Sequence, residues 1–187
     1  MLYINDDLYA ADTAQIEADI KRLPAWRRDI VLRYKHEPGR RQCLLAYQLL
    51  CRGLQKDFGI DGMPRFEYGG HGKPFLPDYP ALHFNMSHCQ TAVACAISKT
   101  PVGVDIETYR PVKESVVRYA MSESESLRIL QAARPERAFA ILWTQKEALV
   151  KLTGEGIGRQ LPTLLESNPH RLSTLVTPQY VCTQAEE

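Results

Sequence analysis

The stretch Phe139 to Gly158, FAILWTQKEALVKLTGEGIG, limits the fold more than any other part of the chain. From Phe139 to Leu152 nearly every residue is a good or tolerable helix former. Gly154, Gly156 and Gly158 follow, where glycines that tolerate positive φ commonly stop a helix. The spacing predicts one helix on which Phe139, Trp143, Glu147 and Lys151 recur every four residues and share a slowly drifting face. An aromatic ridge thus runs into a carboxylate and then an ammonium at the C-terminal end, with Lys146 about 100° round from Glu147. On its own this describes an amphipathic helix with a Glu147–Lys151 pair worth about 0.2–0.5 kcal/mol. What lies upstream gives it a chemical meaning.

Composition narrows the class. With 187 residues, 44% of them hydrophobic and 24% charged, the chain suits one globular domain or two small halves sharing a core. A formal net charge of +1 argues against a general nucleic-acid binder. The five cysteines are an odd count without CxxC spacing, so neither a zinc site nor a disulfide framework is expected; Cys43 and Cys95 lie in apolar runs and suit buried thiols. The N-terminal MLYINDDLYAADTAQ carries acids where a signal peptide needs basic residues, and no segment approaches the ~20 apolar residues that span a bilayer. The expectation is a soluble, cytoplasmic protein in a reducing compartment, with neither a membrane nor a nucleic acid as partner.

Along the chain, Leu2–Ile4 suits an edge strand, and Asp12 suits the N-cap of a helix reaching Arg22. Pro24 begins a second helical piece, and Pro38-Gly39 punctuates before a long helix over 40–58 with Leu44, Leu45, Leu49 and Leu54 facing a core. The eight basic residues from Lys21 to Arg41 fit a solvated face or an anion site. A short strand is expected at 65–68. Three runs, 82–86, 91–98 and 102–107, have the spacing of hairpins in one antiparallel or mixed sheet. Ser122 and Glu125 have capping-box spacing. Short strands are expected at 171–176 and 179–182. A long helix followed by strands therefore occurs twice, which suggests two similar halves.

The chemistry concentrates on three acids. Asp105 and Glu107 are i and i+2 on a predicted strand, so both carboxylates leave one face while Ile106 leaves the other. Like charges so placed call for compensation, and a hard divalent cation supplies it. Glu147 adds a third carboxylate, flanked by Lys146 and Lys151. Acids for a metal beside lysines for phosphate describe a phosphoryl-transfer or pyrophosphate-binding site. Lys73, presented by a Gly-Lys-Pro loop, and His88, at a strand end, extend the positive lining. The glycines near Lys73 lack the Walker spacing, so a phosphate loop is rejected.

GVDIE at 103–107, together with WTQKEALVK at 143–151, resembles the paired signatures of the Sfp-type 4′-phosphopantetheinyl transferases. HGKPFLPDYPALHFNMSH at 71–88 resembles the segment that precedes the first signature, and the likeness runs in order over residues 24–160. The resemblance implies an α+β fold of two similar, pseudo-two-fold halves, here 1–100 and 101–187, with the site between them. It implies Mg²⁺, or Mn²⁺ in its place, on Asp105, Glu107 and Glu147. It assigns Arg41, Lys73, Pro74, Ser87, His88, Lys146 and Lys151 to coenzyme A, with Lys146 and Lys151 on phosphate and Arg41 near the adenosine end. Gln42 and Cys89 stand where the family commonly has a hydroxyl residue and a serine.

The implied reaction transfers 4′-phosphopantetheine from coenzyme A to a serine of an apo acyl, peptidyl or aryl carrier protein, releasing 3′,5′-ADP. Glu147, directly or through a metal-bound water, is the candidate base, and Lys151 offsets charge on the leaving phosphate. No partner subunit is needed, so a monomer is expected. Two other readings stay open at this stage. One is a Mg²⁺-dependent phosphohydrolase acting on a nucleotide or coenzyme A; the other is a non-catalytic module that binds either.

Overall fold

Strands and helices mix along the chain in the order β1 (Leu2–Asn5), α1 (Thr13–Arg22), α2 (Ala25–Leu32), α3 (Glu37–Phe58), β2 (Glu67–Tyr68), β3 (Pro74–Phe75), β4 (His83–His88), β5 (Val93–Ser98), β6 (Val102–Thr108), α4 (Glu114–Ala120), α5 (Glu123–Leu130), α6 (Pro135–Thr153), β7 (Arg171–Val176) and β8 (Tyr180–Glu186), with a 3₁₀ turn at Leu161–Thr163. The computed structural model describes residues 1–154, 156, 158, 160–166 and 168–187. Among them no helix is long and apolar enough to cross a membrane.

Local chemistry accounts for the helix ends. Asp12 caps α1 by accepting from the Gln15 amide at 2.8 Å. Ser122 and Glu125 form the reciprocal capping box at the start of α5. Gly154 ends α6 at φ 75°, a left-handed conformation that costs other residues a Cβ clash. Pro38 does not break the chain before α3, as the sequence suggested. It lies inside the first turn, where a backbone N–H has no intrahelical partner and its loss costs nothing.

Two three-stranded antiparallel sheets carry the two long helices, in the orders β1-β5-β4 and β6-β8-β7. Each sheet thus places the first strand of its segment beside the last, with the remaining strand on the outside. Helix α3 buries Leu44, Leu49, Leu50 and Leu54 with Phe84, Val93, Cys95 and Ile97 of the first sheet. Phe66 joins that core edge-on to Trp26 and Phe84, at centroid distances of 5.5 and 5.4 Å.

The sheet assignment of β6 corrects the sequence reading. β4 and β5 form the expected hairpin, but β6 leaves it to begin the second sheet. The two sheets meet where the Val104 amide of β6 donates to the Asn85 side-chain oxygen of β4, at 3.1 Å. The final strand is also longer than expected. β8 runs to Glu186 because it is the middle strand, hydrogen-bonded to β6 on one side and β7 on the other.

Helix α6 lies unusually close to β6, and the residues explain why. Ala140, Thr144, Ala148 and Leu152 form its buried stripe, small for three of its four positions. Opposite them is Gly103, where a Cβ would stand 2.1 Å from the Ala148 carbonyl oxygen and 2.5 Å from the Leu152 amide nitrogen. Only glycine admits this approach. Thr144 secures it by a hydroxyl contact of 2.9 Å to Thr183 of β8.

Candidate active site

The close approach of α6 and β6 brings the two sequence motifs together. Residues alternate along β6, so Val104 and Ile106 enter an apolar cluster with Ala96 and Cys182, while Gly103, Asp105 and Glu107 face α6. On α6, Glu147 precedes Ala148 and Lys151 lies one turn on. A cavity of about 350 Å³ collects Ser87 and His88 from β4, Asp105 and Glu107 from β6, and Trp143, Glu147 and Lys151 from α6. Three elements and both sheets therefore contribute to one opening.

Asp105 is the hub. Its Oδ1 accepts from Ser87 Oγ at 2.9 Å and from Lys151 Nζ at 2.6 Å, and Lys151 also donates to Ser87 Oγ at 3.0 Å. Lys151 pairs across elements rather than along its helix, so the expected Glu147–Lys151 bridge is absent among the described residues. The other oxygen, Asp105 Oδ2, is buried and has no hydrogen-bond partner among the described residues.

The remaining ionisable groups respond to this crowding. Burial, and then the Asp105 charge, push the carboxyls of Glu107 and Glu147 above the ordinary value of 4.5. Arg110 counters part of this at Glu107, donating to its Oε2 at 3.1 Å. His88 stands exposed at the end of β4, yet the protein around its base, and then the Lys151 ammonium, push its imidazole below 6.5.

The cavity continues in both directions. Through Met86 and Lys151 it adjoins a space of about 340 Å³ lined by Tyr68, His71, Lys73, Pro74 and Asn85. Through Glu107 and Trp143 it adjoins another of about 360 Å³ lined by Val112, Val116 and Phe139. The predicted aromatic ridge walls that side, with Phe139 and Trp143 stacked at 5.8 Å and 14° between planes.

Several expected residues sit differently. Lys73 lines the second space, but its Nζ donates to the Leu152 carbonyl at 2.5 Å, tying the Gly72–Lys73 loop to the end of α6. Lys146 is fully buried. Its ammonium meets Glu125 Oε2 at 2.7 Å and the carbonyls of Ala120, Leu161 and Pro162, so it faces away from the site and cannot contact phosphate there. Arg41 is likewise turned inward, holding Glu37 at 2.6 Å and the carbonyls of Leu8 and Ala11. Arg27, another of the basic run, is buried over the Tyr47 ring. Gln42 donates to the Cys89 carbonyl at 2.7 Å, anchoring the segment after His88 to α3.

Sequence reasoning passed over two residues that position the site. Asn85 joins the sheets two residues before Ser87, and its signal is a polar residue between the apolar Phe84 and Met86 in HFNMSH. Gly103 admits α6, and its signal is a glycine inside a strand, which marks close backbone approach.

The side chains fit a divalent cation, with one rearrangement. Among the described residues no three His, Cys, Asp or Glu groups stand close enough together to hold one as placed. Yet Asp105 Oδ2 lacks a partner among the described residues, and Glu107 and Glu147 line the same cavity with carboxyls raised first by burial and then by the Asp105 charge. Hard carboxylate oxygens beside an open space suit Mg²⁺, which keeps waters and takes substrate phosphate.

Comparison with known proteins agrees with this chemistry. Residues 101–184 match the model of the 4′-phosphopantetheinyl transferase superfamily. A 4′-phosphopantetheinyl transferase of Bacillus subtilis is 29% identical over 164 residues, covering 86% of this chain and 71% of that protein. The 4′-phosphopantetheinyl transferase Sfp of Bacillus subtilis (strain 168) is 30% identical over 138 residues, 72% of this chain and 62% of the relative. The 4′-phosphopantetheinyl transferase AcpT of Salmonella typhi is 35% identical over 128 residues, 62% of this chain and 66% of the relative.

Proposed function

We propose that this chain, whose residues 101–184 match the model of the 4′-phosphopantetheinyl transferase superfamily, moves 4′-phosphopantetheine from coenzyme A to the serine hydroxyl of an apo carrier protein. The observation that carries this reading is the joining of Ser87, Asp105 and Lys151 across both sheets, with Glu107 and Glu147 in the same opening.

Two halves, 1–100 and 101–187, form the enzyme in this reading, related by an approximate two-fold. The matching strand orders of the two sheets support it. Coenzyme A enters from the Lys73 and Pro74 side, and the carrier serine from the Phe139 and Trp143 side, so the pyrophosphate meets the acids in the middle. Asp105, Glu107 and Glu147 would hold Mg²⁺, which when bound would screen the pyrophosphate charge.

The serine oxygen attacks the β-phosphorus. The bond from that phosphorus to the oxygen bridging the two phosphates breaks, and 3′,5′-ADP leaves. Glu147, in the same opening, accepts the serine proton. Lys151 sets a positive charge beside the leaving phosphate. His88, lining the same opening, offers a hydrogen bond to phosphate.

Both halves of the opening come from one chain, so a monomer acting in the cytoplasm suffices. Carriers of the acyl, peptidyl and aryl classes all present the required serine. The test is the release of 3′,5′-ADP from coenzyme A with and without apo carrier. Release that depends on carrier supports transfer. Release without carrier makes the protein a phosphohydrolase, and binding without release makes it a coenzyme A binding module.

A further inference from the structure

We infer that Lys151 is a resident counter-cation, which keeps a free divalent ion off Asp105 and gives way when a phosphate draws its ammonium aside, so that the site selects metal with coenzyme over metal alone. The inference rests on the reading above that Mg²⁺ and coenzyme A share this opening.

Four observations carry it. The Lys151 ammonium contacts Asp105 Oδ1 at 2.6 Å and Ser87 Oγ at 3.0 Å, which is the direct contact an incoming cation would need. Among the described residues no metal-holding trio is preformed, although three carboxylates line the cavity. Among the described residues Asp105 Oδ2 has no hydrogen-bond partner, so the lysine meets only half of the carboxylate's demand. Lys151 also borders the neighbouring space lined by Lys73 and Pro74, where phosphate would lie.

The physics follows directly. Two cations cannot both sit against one carboxylate oxygen at contact distance without strong repulsion. Lysine is a compact charge on a flexible four-carbon stem, so rotation about its side chain can carry the ammonium from one space to the next. A phosphate in the second space gives it a new anionic partner and frees Oδ1. The coupling is reciprocal, because whatever metal binding does to coenzyme affinity, coenzyme binding does equally to metal affinity.

The experiment measures Mg²⁺ affinity by titration, without and with saturating coenzyme A, in the wild type, Lys151→Met, Lys151→Gln and Lys73→Met. Trp143, at the cavity wall, provides a fluorescence signal. Without coenzyme, both Lys151 variants should bind Mg²⁺ about tenfold more tightly than the wild type, or about 1.4 kcal/mol. The factor by which coenzyme A raises Mg²⁺ affinity should shrink in both. Lys73→Met removes a nearby charge that does not touch Asp105, and its coenzyme-free affinity should stay at the wild-type value. Melting curves give a second reading, since Mg²⁺ alone should raise the melting temperature more in the Lys151 variants, where Asp105 lacks its counter-ion.

Unchanged or weaker Mg²⁺ binding in the Lys151 variants overturns the inference. An equal gain in Lys73→Met also overturns it, because that gain would come from the general field. A wild type that shows no coupling between Mg²⁺ and coenzyme A would instead refute the shared site on which the inference rests.

Discussion

Lys151, in the last turns of α6, reaches Asp105 of β6 at 2.6 Å instead of pairing with Glu147 four residues before it on the same helix. The choice follows from position. Asp105 is buried and Lys151 is only partly exposed, so their attraction is less screened than that of a surface i,i+4 pair. One contact thereby ties the second signature to the first.

Asp105→Asn and Glu147→Gln should each lower turnover a hundredfold or more, the order expected for a group at a metal or a developing charge. Their stabilities should differ. Glu147 carries a raised pKa caused by burial and by Asp105, so neutralising it relieves repulsion. Glu147→Gln should melt at or above the wild-type temperature without ligands, a gain in stability at the expense of function. Steady-state kinetics and thermal melting check both points, and near-wild-type turnover in either variant removes that residue from the site.

Gly103→Ala tests the approach of α6 to β6. The added methyl would meet backbone atoms of Ala148 and Leu152, which cannot swing away. Overpacking of this kind costs about 1–3 kcal/mol or more. The helix must lift, separating Lys151 and Glu147 from Asp105, so turnover should fall along with stability. A variant with wild-type melting temperature and turnover would contradict the packing account.

Lys146 is assigned to the core. Lys146→Met leaves Glu125 buried without its cation, at a cost of about 3–5 kcal/mol in denaturant unfolding. Adding Glu125→Gln should recover much of that loss. In the folded fraction the Michaelis constant for coenzyme A should stay near the wild-type value. A stable Lys146→Met protein with a weakened grip on coenzyme A would restore its role as a phosphate contact.

The pH dependence has a definite sign. Glu107 and Glu147 titrate above 4.5 in the folded state, so the folded protein holds protons that the unfolded chain has released. Their contribution is fully present below about 4.5 and is lost as pH rises through the raised values. His88 acts oppositely, since its folded value lies below 6.5 and stability is gained as pH rises towards that value. Comparison with Glu147→Gln isolates one acid. The stability of the variant relative to the wild type should grow as pH rises above 4.5, as read from chemical unfolding without metal. A difference that does not change with pH would contradict the shift.

Much of this was legible in the sequence for physical reasons. A period of four put Phe139, Trp143, Glu147 and Lys151 on one face, and a period of two put Asp105 and Glu107 on another. Both periods follow from backbone geometry. The partners of each face were not legible. Hairpin-like spacing could not reveal that β6 abandons β5 for β8, because that depends on pairing with a strand some 75 residues away. The inward turn of Lys146 and Arg41 was not legible, because a basic side chain turns inward when carbonyls and a carboxylate wait for it, and those partners come from distant segments. Gly103 and Asn85 carried weak local signals whose meaning appears only when the helix and the second sheet are in place.

The most direct measurement is the intact mass of a panel of apo carrier proteins after incubation with this protein, coenzyme A and Mg²⁺, alongside the Asp105→Asn variant. The account predicts that at least one carrier gains the mass of a single phosphopantetheinyl group on its serine, and that the variant does this a hundredfold or more slowly. It is contradicted if no carrier gains that mass under conditions where an established transferase modifies the same panel.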